Sequence, residues 1–145
     1  MALKVEIQNR QTIVRISPAR IKALARTALR AEGVKHARLC VVFVDDRAIR
    51  ILNRRFLKRS YATDVLAFDL TSGDGPLEGE IAVSVQTAVR QARIYRTSLR
   101  HELDLYVVHG ILHLTGYDDH SPGDIRLMRR REAELTGRPA RCDES

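Results

Sequence analysis

The stretch HGILHLTGYDDH, residues 109–120, holds three of the chain's five histidines and two aspartates among side chains that are mostly apolar or small. On a helix, residues four apart lie about 40° from one another around the axis, so His109 and His113 share a face one turn apart. Two neutral imidazoles placed that way converge on one atom. A divalent cation there relieves both the desolvation of two buried rings and their repulsion when protonated. Gly116 then reverses the chain, so that Asp118, Asp119 or His120 can return as a third ligand. Three protein ligands with an open fourth position is the catalytic arrangement of zinc, in which water ionises near neutral pH. The chemistry expected is hydrolytic.

The spacing of His109, His113 and Gly116 resembles the zincin motif HExxH and its extension HExxHxxGxxH, but Gly110 stands where a peptidase carries its general-base glutamate. That substitution counts against a peptidase and leaves room at the metal for a bulkier substrate.

These residues need a rigid support. "SLRHELDLYVVHGILHLTG" begins beside Ser98 as an N-cap, keeps helical spacing for about 17 residues and ends at Gly116; it is apolar almost all round between Leu105 and Leu114, the pattern of a buried central helix. Ser121, Pro122 and Asp124 signal a last helix over "DIRLMRRREAEL", and the polar tail from Gly137 is expected to be loose. Upstream, residues 3 to 7 and 12 to 16 alternate like strands or a hairpin. "SPARIKALARTALRAEG" reads as an amphipathic helix with Ser17 as cap, Pro18 in its first turn and Gly33 as stop. "ARLCVVFV" (37 to 44) reads as a buried strand, followed by Asp45 or Asp46 capping a short helix through "RAIRILNRRF". The polar loop "LKRSYAT" leads to strands at 64 to 70 and 79 to 85 joined by "TSGDGPLE", and "QTAVRQARIYR" resumes helical periodicity. The order predicts an α+β fold.

At 145 residues the chain is expected to form a single domain over 1–145, with residues 137–145 as its tail. No apolar run approaches the roughly 18 residues needed to span a bilayer, and the N-terminus has no signal-peptide core, so a cytoplasmic protein without membrane attachment is expected. Cys40 and Cys142 form no disulfide framework and no CxxC motif. The net charge of +7 is carried mainly by arginine, with Lys4, Lys22, Lys35 and Lys58 the only lysines, and favours a polyanionic partner.

The pattern HGxLHLxGYD, preceded by "TDVLAF" and "GEIAVSV", resembles the YbeY family of bacterial metal-dependent endoribonucleases. The likeness runs from "VDDRAIRILNRRF" through "GEIAVSVQTAVRQARIYRTSLRHELDLYVVHGILHLTGYDDH". It implies a compact α+β fold with a small mixed β-sheet packed with helices around a central, metal-bearing helix of zincin-like kind, with zinc, Zn(2+), one per chain. It further implies single-strand-specific cleavage of ribosomal RNA in small-subunit maturation and ribosome quality control, with the small ribosomal subunit, its proteins and a ribosome-associated GTPase as partners. Two departures stand out. Leu57 occupies the place of a family arginine that follows the aromatic residue, while Lys58 and Arg59 come directly after it; the family's GYDH reads GYDDH here.

The expected metal ligands are therefore His109 and His113 with either Asp119 or His120, Asp119 being favoured because the resemblance places the third ligand ten residues after the first. If Asp119 ligates, His120 stands beside the metal as a proton donor. Arg59 is the expected catalytic cation offsetting charge on phosphorus, and Arg55, Lys58 and Arg59 are the expected RNA contacts. Two rival readings are an RNA-binding ribosome assembly factor whose metal only braces the fold, and a zincin-type peptidase.

Overall fold

A computed structural model describes residues 3–57 and 64–137. The elements are β1 (Leu3–Asn9), α1 (Pro18–Ala31), β2 (Ala37–Val44), α2 (Asp46–Leu57), β3 (Val65–Asp69), β4 (Leu77–Ser84), α3 (Val85–Tyr95), α4 (Leu99–Leu114) and α5 (Pro122–Thr136). Helix starts follow the side chains that can accept orphan N–H groups. Ser17 accepts from Arg20 N, Ser98 from His101 N, and Ser121 from Asp124 N. At α2 the acceptor is Asp45, whose Oδ1 takes Ala48 N at 2.8 Å. Among the described residues no helix is long and apolar enough to cross a membrane.

The mixed sheet has the order β1-β2-β4-β3, with β1, β2 and β4 parallel and β3 antiparallel to β4. Strand alternation sorts the side chains onto two faces. Val5, Leu39, Val41, Phe43, Ile81 and Val83 pack under α1 and α4, whereas Val42, Val44, Leu66 and Ala82 meet Ile49 of α2 on the other face.

Helix α4 lies between layers, which explains why it is apolar all round. Val107 and Ile111 belong to the core against the sheet, while Val108 and Leu112 pack with Met128 of α5. All four are fully buried. At roughly 1.5–3 kcal/mol for each such side chain, this anchorage makes α4 a stiff support for the imidazoles it carries.

Two expected strands differ from what is observed. Residues 12 to 16 form no strand: the Gln11 side chain accepts from Ile13 N at 2.8 Å and Val14 N at 2.9 Å, and donates to Val14 O at 2.8 Å. A local amide thus takes the hydrogen bonds that a ladder would have used. Strand β4 runs from Leu77 to Ser84 and stops there because Ser84 caps α3, its Oγ accepting from Thr87 N at 3.3 Å.

Candidate metal centre and cleft

His109 and His113 stand on α4 with their rings nearly perpendicular, at 79°, and their Nε2 atoms 3.1 Å apart. His109 Nδ1 lies 2.5 Å from Glu132 Oε2 on α5. A proton on Nδ1 donates to that carboxylate, which leaves the Nε2 lone pair of His109 facing His113. The chain leaves α4 through a Schellman turn, in which Tyr117 N donates to Leu112 O at 2.9 Å and Gly116 N to His113 O at 3.3 Å. Gly116 has φ +109°, which favours a residue without Cβ. This turn brings the Asp119 carboxylate back, with Oδ2 at 3.7 Å from His113 Nε2.

His109, His113 and Asp119 thus form a group able to hold a metal ion, with one ligand atom from each lying within 4.8 Å of the others. A tetrahedral zinc with nitrogens at about 2.0–2.1 Å separates its ligand atoms by roughly 3.3 Å, close to the observed separation of the two Nε2 atoms. The residues fit the ion.

The two imidazoles titrate apart. Burial pulls His109 down, but the hydrogen bond and charge of Glu132, aided by Asp64 and Asp119, outweigh it and hold His109 above the usual histidine range. Burial and the neighbouring His109 push His113 below that range, against Asp119, Asp118 and Glu132. The surrounding carboxylates that favour a proton here equally favour a bound cation.

Beside His109 opens a cleft of about 260 Å³. Its polar lining comprises Asp64 before β3, Asp119, and Arg129 and Glu132 of α5; Leu105, Tyr106, Ile125 and Met128 form the apolar part. Gly110 faces away from this space. A Cβ there would meet Ile81 Cγ2 at 2.8 Å and Cδ1 at 2.9 Å, so the glycine admits the sheet to the helix and does not enlarge the room at the metal, as its place in the motif suggests.

His120 is not brought to the imidazole pair. Its side chain is 83% exposed and its Nε2 lies 3.1 Å from Asp118 Oδ1, in an exposed group with Asp118 and Asp119 that shares only Asp119 with the first. Arg55 is exposed in the last turn of α2 and is not part of the cleft lining. Lys58 and Arg59 lie outside the described residues, as does Cys142.

Sequence reasoning missed Glu132 and Asp64. A signal existed for the first: Met128, Glu132 and Leu135 follow the inward spacing of α5, and a carboxylate within such a stripe needs a partner.

An α+β fold that brings two imidazoles and a carboxylate together beside a cleft defines a protein with a side-chain group able to hold a metal ion. A family model described as endoribonuclease YbeY matches residues 6–138, and the chain belongs to that family. It is 42% identical over 135 residues to an endoribonuclease YbeY of an Anaeromyxobacter species, covering 92% of this chain and 70% of the relative. It is 38% identical over 148 residues to that of Pelotomaculum thermopropionicum, covering 94% and 97%. A solution structure of a Thermotoga maritima protein shares the fold with a TM-score of 0.61 at 24% identity, over 93% of this chain and 89% of that one.

Proposed function

We propose that the chain is a zinc-dependent, single-strand-specific endoribonuclease acting on ribosomal RNA in small-subunit maturation and ribosome quality control, in the cytoplasm. The observation that carries this reading is the convergence of His109, His113 and Asp119 beside a cleft, in a chain of the endoribonuclease YbeY family. Those three residues would hold the ion, which when bound supplies Lewis acidity toward a phosphoryl oxygen and toward water. Glu132 keeps the proton of His109 on Nδ1 and turns the other ring nitrogen to the site. The cleft is below the 300–1,000 Å³ of typical ligand pockets and suits an unpaired nucleotide better than a duplex.

The charge of +7 supports a polyanionic substrate, with Arg55, Lys58 and Arg59 as RNA contacts, Arg59 also offsetting charge on phosphorus. His120, exposed beside Asp118, is available to supply a proton to the leaving oxygen. Ribosomal small-subunit proteins are the proposed partners.

The test is metal analysis of the purified protein, then incubation with an unstructured and a structured RNA, with and without chelator. About one zinc per chain and chelator-sensitive cutting of the unstructured RNA alone are expected. Water attack leaves a phosphomonoester end directly, whereas attack by the neighbouring 2′-hydroxyl leaves a cyclic phosphate, so the product ends identify the nucleophile. Metal-independent RNA binding without cleavage would instead favour a ribosome assembly factor. A peptidase is disfavoured because any side chain at position 110 would run into Ile81.

A further inference from the structure

We infer that Arg129 is the phosphate-binding residue of the cleft, receiving a non-bridging oxygen of the RNA backbone beside the metal group. Ile125, Met128, Arg129 and Glu132 all line the cleft, and their spacing of three, four and seven residues makes them one stripe along α5. Arg129 stands one turn before Glu132, whose carboxylate is bonded to His109. The three consecutive arginines of this helix therefore point to different surroundings. Arg131 is committed to α1, with Nε 2.6 Å from Glu32 Oε2 and Nη2 3.0 Å from Ala31 O. Arg130 is exposed, and Arg129 alone among the three faces the cleft.

Charge decides what that position does. The described lining contains the carboxylates of Asp64, Asp119 and Glu132, the His109 imidazole and one guanidinium, that of Arg129. A phosphodiester entering among three carboxylates meets repulsion that a guanidinium beside the metal group offsets. Arg129 is itself engaged by a neighbouring group, and five N–H donors in a planar fork allow it to keep a protein partner and still donate to phosphate.

This role rests on the nuclease reading above, and the experiment separates the two. Zinc-loaded wild type, Arg129→Ala, Arg129→Lys and Arg130→Ala are compared for zinc per chain, affinity for inorganic phosphate by calorimetry, and cleavage of a single-stranded RNA. Arg129→Ala is expected to keep its zinc and its Tm, to bind phosphate about tenfold more weakly and to lose about 100-fold in kcat/KM. Arg129→Lys should fall between, and Arg130→Ala should match wild type. Unchanged phosphate affinity in Arg129→Ala, no phosphate binding by wild type, or an equal loss in Arg130→Ala overturns the assignment. If wild type cuts no RNA while Arg129→Ala still loses phosphate, the nuclease reading falls and the phosphate site stands.

Discussion

Glu132 Oε2 on α5 lies 2.5 Å from His109 Nδ1 on α4, so one helix fixes the ring orientation of a metal-ligand candidate on another. Carboxylates in that relation to ligating histidines raise ligand basicity, and their loss commonly costs 10–100-fold in metal affinity. Glu132→Gln keeps an oxygen that can accept the Nδ1 proton but removes the charge. Zinc affinity, measured by competition with a chromophoric chelator, is expected to drop by about that range while far-UV circular dichroism stays the same. Affinity equal to wild type would reduce the contact to a helix-packing bond.

Gly110 packs on Ile81, and the contact has a measurable cost. Gly110→Ala gains about 1 kcal/mol in helix propensity, yet its methyl must displace a fully buried β-branched side chain, at about 1–3 kcal/mol. A net loss of stability is expected in denaturant unfolding. Ile81→Ala should cost less in the Gly110→Ala background than alone; simple additivity of the two costs would show that the residues do not meet.

The helices are legible because their signals are local. Ser17, Ser98 and Ser121 mark starts, Gly116 and Gly137 mark ends, and the all-round apolar run of α4 foretells a helix packed on two sides. The histidine pair is legible for the same reason, since four-residue spacing is itself the geometry. What sequence hides is contact across the chain. Glu132 meets His109 over 23 residues, Asp64 and Arg129 reach one cleft from different elements, and Gly110 faces the sheet only because β4 places Ile81 beneath it. The strand expected at 12 to 16 fails for a smaller reason, as periodicity cannot reveal that the Gln11 amide takes the local hydrogen bonds.

Asp119 and His120 are adjacent, but only Asp119 lies with the imidazole pair. Asp119→Ala is therefore expected to abolish stoichiometric zinc binding, and His120→Ala to retain it. Metal content of the two purified variants decides the matter. Zinc lost from His120→Ala and kept in Asp119→Ala would mean that the loop after Gly116 rearranges to place the third imidazole on the ion.

Asp46, at the start of α2, ties that helix to the beginning of α3. Its Oδ1 accepts from Ser84 Oγ at 2.6 Å and Thr87 Oγ1 at 3.1 Å, and its Oδ2 pairs with Arg90 Nη1 at 2.7 Å. Burial alone would raise its carboxyl pKa, but the bonds from Arg90, Ser84 and Thr87 win and hold it below the ordinary value of 3.8. A group depressed in the folded state contributes stability that is complete above its unfolded pKa and lost as pH falls through the folded one. Asp46→Asn keeps an acceptor but gives up the charge, and should cost about 1–2 kcal/mol at pH 7. The gap between variant and wild type should hold steady down to about pH 5 and close as the pH drops below about 4. Urea unfolding across pH 3–7 measures it, and a gap that stays constant through that window would mean that the Asp46 charge contributes nothing to holding α2 against α3.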